Sequence, residues 1–169
     1  DLVNKGSLFQ SSSDTEVIVH LMAVSLKDNA IDKLAAAANE IIGAYSLVAV
    51  TSDMLIGLRD PYGIRPLCLG KLGGSYILTS ETCALDIIGA EFVRDVEPGE
   101  MVVIDKKGMR TVWPFKTKHK RFCIFEYVYF ARPDSYMEGR SVYEMRKNIG
   151  AVLAREAPVP NADVVVPVP

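Results

Sequence analysis

Between Tyr45 and Trp113 the chain runs through seven short apolar segments, YSLVAV, MLIGL, PLCLG, SYILTS, EFVRDV, MVVI and MRTVW, separated by turn residues. Segments this short and this rich in Val, Ile and Leu are strands rather than helices. One stretch, ETCALDII, departs from the pattern and reads as a short helix. The turns carry recognisable chemistry. Asp60-Pro61-Tyr62-Gly63 puts Asp first, Pro second and Gly fourth, as a type I turn prefers, while Pro98-Gly99 and Lys107-Gly108 mark hairpins. An antiparallel meander is predicted.

Two amphipathic helices precede it. Ser13 and Glu16 have the S-x-x-E spacing of a capping box, and Val17, Ile18, Leu21, Met22 and Val24 form a stripe behind them, which predicts a helix over 14–26. A second opens near Asp28 or Asn29, carries Ile31, Leu34, Ala38, Ile41 and Ile42, and stops at Gly43. Helices covering such a sheet give an α+β layered domain. With 49% hydrophobic and 24% charged residues in 169, the chain can bury a core.

The run PFKTKHKR, 114 to 121, is basic and proline-bearing, suited to a solvated linker, and places a boundary near residue 119. Beyond it, CIFEYVYFARPDS reads as a strand over 122–130 followed by a turn. Both faces of that strand are apolar except for Glu126. A carboxylate there must be paired or hydrogen-bonded, and Arg132, roughly 20 Å along an extended chain, is too far away. Its partner is expected elsewhere in the fold. A helix capped by Ser141 with Glu144 and an apolar run, ADVVVPVP, complete a βαβ unit.

The net charge of -2 and pI near 5.7 exclude a general attraction to nucleic acid or to an anionic membrane. No apolar run reaches the roughly 20 residues of a bilayer span, and DLVNKGSLFQ has no signal-peptide pattern, so a cytoplasmic protein is expected. Cys68, Cys83 and Cys123 make neither an even disulfide framework nor a CxxC pair. Cys68 and Cys83 read as buried thiols, and Cys123 as a buried thiol or a metal ligand. Neither His20 nor His119 is placed to form a nucleophilic pair with a cysteine. Asp14, at the first turn of a helix, suits either local capping or the binding of an ammonium group. Arg59, Asp60 and Arg65 crowd one turn, where they could form an internal network or face a substrate.

Taken together, SSSDTEVIVHLM, GAYSLVAV, RDPYGIRPLCLG, SETCALDIIGAEFVRDVEPGE and CIFEYVYFARPDS closely resemble the glutamine phosphoribosylpyrophosphate amidotransferases, the amidophosphoribosyltransferases of purine synthesis. RDPYGIRPL is shared with other class II amidotransferases, whereas EYVYFARPDS is more specific. The resemblance implies an αββα N-terminal-nucleophile glutaminase sandwich, in part, over 1–119 and the start of an α/β phosphoribosyltransferase domain over 120–169. It implies an enzyme that hydrolyses glutamine and passes the ammonia to phosphoribosyl pyrophosphate, giving 5-phosphoribosylamine. Alternatives are the glutaminase half of another class II amidotransferase and a non-catalytic regulatory module of the same fold.

The chain starts at Asp1 and ends at Pro169 after an apolar run, so a piece of a longer protein is expected. By the resemblance no catalytic residue lies within it. The nucleophilic Cys, the Arg for the glutamine carboxylate and the oxyanion segment belong before residue 1; the phosphoribosyl-binding loop and Mg2+ ligands belong after residue 169. Asp14 carries over as the carboxylate that binds the glutamine amino group. Cys123 matches the first ligand of the 4Fe-4S cluster that one branch of the family carries. A homo-oligomer, dimer or tetramer, inhibited by purine nucleotides, is further implied.

Overall fold

Strand alternation builds the layers. In β2 (Met54–Arg59), Ile56 and Leu58 point to one side and Gly57 to the other; in β6 (Met101–Asp105), Met101 and Val103 oppose Val102. β1 (Ser46–Val50) and β7 (Gly108–Val112) flank them in an antiparallel sheet of order β1-β2-β6-β7, with Ser46 opposite Arg59 and Leu58 opposite Met101. The computed structural model describes residues 2–116 and 119–166.

Helices α1 (Glu16–Val24) and α2 (Ala30–Glu40) cover one face of this sheet. Leu34 and Ala38, joined by Ile18 and Met22, pack on Ile56, Leu58, Met101 and Val103. The other face meets a second antiparallel sheet, β4-β3-β5, made of β3 (Cys68–Leu72), β4 (Ser75–Thr79) and β5 (Glu91–Asp95). Leu67, Leu69, Val96 and Val102 form the core between the sheets. Gly57 lets the sheets approach closely there, since a Cβ at this position would lie 2.7 Å from Leu78 Cδ1 and that side chain would have to shift. On the outer face of the second sheet, Leu85 of α3 (Thr82–Ile88) packs on Cys68, and Gly70 makes room for it in the same way. Helix, sheet, sheet, helix is the αββα sandwich that the resemblance implies.

Several elements differ from the sequence reading. The strands do not form one meander, because β2 pairs with β6 across the intervening β3, β4 and β5. Pro98-Gly99 is accordingly not a hairpin turn. Glu97 to Glu100 closes with a 3.0 Å backbone bond, with Gly99 at φ +73°, and carries the chain from one sheet to the other. Helix α1 is shorter than the 14–26 prediction and Ser13 does not cap it: Glu16 reaches the nearer amides of Gln10 and Ser11 instead. The caps at Asn29 and Ser141 form as expected.

The largest difference falls on 122–130. Glu126–Phe130 is a π-helical turn, closed by the Ala131 N–H on the Glu126 carbonyl. An apolar run without sheet partners has no fixed period, and here tertiary bonds decide it: Arg146 of α4 (Val142–Glu156) donates to the Tyr127 and Ala131 carbonyls. The two short strands β8 (Tyr136–Met137) and β9 (Arg140–Ser141) lead into α4. Residues 162–166 form no strand, so no βαβ unit is present among the described residues, and the end of ADVVVPVP lies outside them.

Glu100 ties β6 and β7 to β5. Buried at 1% exposure, its carboxylate accepts two hydrogen bonds from Arg94, each 2.7 Å, one from the Glu97 amide and one from the Thr111 hydroxyl. Burial alone would raise this carboxyl, but those donors hold it below the ordinary 4.5. A depressed folded-state value stabilises the protein above the ordinary value and is lost as pH falls through the folded one. Glu100→Gln should therefore cost about 1.5 to 3 kcal/mol at neutral pH, with the difference from the parent shrinking below about pH 4, as measured by urea unfolding.

Candidate functional site

A cavity of about 630 Å3 opens between the start of α1 and the start of β1. Asp14, Thr15 and Ile18 line one side, and Tyr45, Ser46, Arg65 and Pro66 the other. That volume is typical of small-molecule sites.

Two acids stand at the entry to α1 with different tasks. Glu16 accepts hydrogen bonds from the Gln10 amide (2.8 Å), the Ser11 amide (2.9 Å) and the Ser11 hydroxyl (2.6 Å). These, led by the Ser11 hydroxyl, lower its pKa to about 2. Asp14 has no such commitment. Its carboxylate is on the exposed cavity wall and, among the described residues, accepts only a 3.3 Å bond from the Thr15 hydroxyl and none from a helix amide. Of the two roles that the sequence leaves open for it, local capping is not the one the structure gives.

The loop from Arg59 to Pro66 supplies Arg65 and Pro66 to the opposite wall. Arg59 is 2% exposed, and its guanidinium donates to the carbonyls of Arg65 (2.8 Å), Val96 (2.7 Å) and Gly63 (2.8 Å) and to Glu138 (3.1 Å). Asp60, fully buried, accepts from the Tyr62 amide (2.8 Å) and the Ile64 amide (3.0 Å), and its carbonyl accepts from the Gly63 amide (2.9 Å) as the type I turn requires. Arg59 and Asp60 thus form an internal network. Arg65 faces outward, and its Nη1 lies 2.9 Å from Glu126 Oε1, so the partner expected for Glu126 is Arg65. Arg132 pairs locally with Asp134. Burial raises the Glu126 carboxyl, Arg65 opposes that shift, and Glu81 adds to it.

Two further acids went unnoticed in the sequence. Glu81, at the N-terminus of α3, accepts from the Arg132 amide and the Ser135 hydroxyl, both at 2.8 Å, while Thr82 accepts from the Tyr136 amide. Glu138 bridges Arg59 and Lys120 from a left-handed backbone at φ +50°. The dipeptide Glu138-Gly139 was the available signal of a tight turn, but nothing local pointed to Arg59.

Cys68 and Cys83 are buried, as expected, and burial pushes the Cys68 thiol up to about 12. Cys123 is half-buried. A 4Fe-4S cluster needs several thiolates, and the described residues contain no group of three His, Cys, Asp or Glu able to hold a metal ion. Nor is any helix among them long and apolar enough to cross a membrane.

Residues 1–86 match the family described as Glutamine amidotransferase domain. The chain belongs to this family. The match includes Asp14, Arg59, Arg65 and Glu81 of the amidotransferase domain. An amidophosphoribosyltransferase of Rhizobium etli is 51% identical over 173 residues, covering 99% of this chain and 35% of the relative. One of Bacillus subtilis is 44% identical over 168 residues, covering 99% and 35%. The solved glutamine phosphoribosylpyrophosphate amidotransferase of B. subtilis, complexed with ADP and GMP, matches with a TM-score of 0.91 at 42% identity, over 94% of this chain and 35% of that one. The resemblance read from the sequence is borne out, and the chain spans about a third of the length of these relatives.

Within the amidotransferase domain the Arg59 fork holds the loop that carries Arg65 and Pro66 into the cavity wall. Arg59→Lys keeps the charge but cannot present the planar set of donors. Hydrogen bonds to charged groups are each worth about 1.5 to 3 kcal/mol, so a loss of at least ~2 kcal/mol is expected, read as a lower urea midpoint at unchanged slope.

Proposed function

We propose that this chain is part of an enzyme that hydrolyses glutamine and transfers the ammonia to phosphoribosyl pyrophosphate, displacing pyrophosphate and giving 5-phosphoribosylamine. The observation that carries the reading is the uncommitted Asp14 carboxylate on the wall of a cavity in an amidotransferase sandwich. Asp14 binds the α-ammonium of glutamine there through a charge-assisted hydrogen bond. Relatives named amidophosphoribosyltransferase match across nearly the whole chain, which supports the same acceptor.

The division into a glutaminase part and a transferase part falls near residue 119. It is supported by a separate apolar cluster of Tyr127, Ala131, Met137 and Val142. The B. subtilis relative was solved with ADP and GMP, which supports inhibition by purine nucleotides. Mg2+ would be held by residues outside this chain. Cys123 would serve a 4Fe-4S cluster only with thiolates from beyond the described residues. A homo-oligomer in the cytoplasm completes the proposal.

Asp14→Asn in the full-length protein keeps the size and removes the charge. Loss of a hydrogen bond worth about 1.5 to 3 kcal/mol lowers glutamine-dependent kcat/KM by roughly 10- to 150-fold, while free ammonia as nitrogen donor supports unchanged turnover. Equal use of glutamine by mutant and parent would remove Asp14 from the site.

A further inference from the structure

Asp14 and Arg65 line the same cavity with opposite charges. Arg65 is 42% exposed, and its backbone is fixed, since its carbonyl accepts from Arg59 Nε (2.8 Å) and the Ser46 hydroxyl (3.1 Å). Only the head of the side chain has a choice of partner. It is engaged by one helical turn, which supplies Glu126 at 2.9 Å and the Phe130 ring, 5.0 Å from the guanidinium carbon.

Glu126 is a poor choice for stability alone. It is 2% exposed, and its buried Oε1 has no hydrogen-bond partner among the described residues although Arg65 lies within ion-pair distance. Buried ion pairs are commonly no better than apolar residues of the same volume, and an acid with an unsatisfied oxygen is worse. What Glu126 does supply is a counter-charge for Arg65.

We propose that Glu126 is a positioning residue that holds Arg65 off Asp14, leaving the Asp14 carboxylate free to receive the α-ammonium of an amino-acid substrate. The proposal rests on the assignment of Asp14 to substrate binding. Without Glu126, a guanidinium with no anionic partner shares a cavity with an uncommitted carboxylate and competes with the substrate for it. The defect then comes from the charge left behind, and removing that charge repairs it.

The test is a suppressor experiment on the full-length protein, with glutamine and free ammonia assayed separately. Glu126→Gln should raise the KM for glutamine about tenfold with kcat little changed, and leave ammonia-dependent kcat/KM within about twofold of the parent. Adding Arg65→Met should bring the glutamine KM back to within about threefold of the parent, because the pair is then replaced as a whole. A merely structural pair gives the opposite pattern, with the double variant as impaired as Glu126→Gln or worse, or with both nitrogen donors losing activity together. Either result overturns the proposal, as does an unchanged KM in Glu126→Gln. Asp14→Asn separates the two assignments: if it is impaired and Glu126→Gln is not, only the positioning role falls, whereas a fully active Asp14→Asn sinks both.

Discussion

The guanidinium of Arg59 is the charge around which the site is arranged. Removing an arginine from water is tolerable only when nearly every donor finds an acceptor. Here the acceptors come from the loop that carries Arg65 and Pro66 to the cavity, from Val96 just after β5 and from Glu138 near β8. Satisfying one buried cation therefore fixes the relative positions of the first sheet, the second sheet and the segment that follows them. Gly63 belongs to the same constraint. It stands at φ +62°, and a Cβ there would meet Pro98 at 2.7 Å and the Arg59 guanidinium carbon at 3.3 Å.

The segment from Glu126 to Glu156 is attached to the sandwich by polar contacts rather than by a shared apolar core. Glu81 and Thr82 hold Arg132, Ser135 and Tyr136; Glu138 holds Arg59; Glu126 holds Arg65. Its own apolar cluster is local. Polar attachments of this kind specify one geometry with little burial, which suits a segment whose position has to be accurate at a nearby cavity.

Strands and turns were legible because alternation and turn chemistry are local. β1 to β7 fall on the segments read from the sequence, Asp60 to Gly63 makes the expected turn, and Asn29 and Ser141 cap their helices. Asp14 was legible as a candidate for the same reason, although its freedom from capping duty was not. It follows from Glu16 finding its donors in Gln10 and Ser11. The π-helical turn at Glu126–Phe130 was illegible because a run apolar on both faces fits a strand and a helical turn equally, and Arg146 settles the choice from α4. Pairings such as Arg65 with Glu126 and Arg59 with Glu138 join residues far apart in the chain, and no local pattern encodes them.

The sheet topology also bears on how the chain reaches this state. β3 and β4 are joined by the two-residue turn Gly73-Gly74 and β5 follows through α3, so the second sheet is built from one continuous stretch, Cys68 to Asp95. The first sheet is interrupted by it, since β2 must wait for β6. Closing β3, β4 and β5 into a sheet shortens the effective separation between β2 and β6 and so lowers the loop-closure cost of pairing them. The loop from Arg59 to Pro66 joins the first sheet to the second, so Arg65 and Pro66 take their place on the cavity wall only when the two sheets meet.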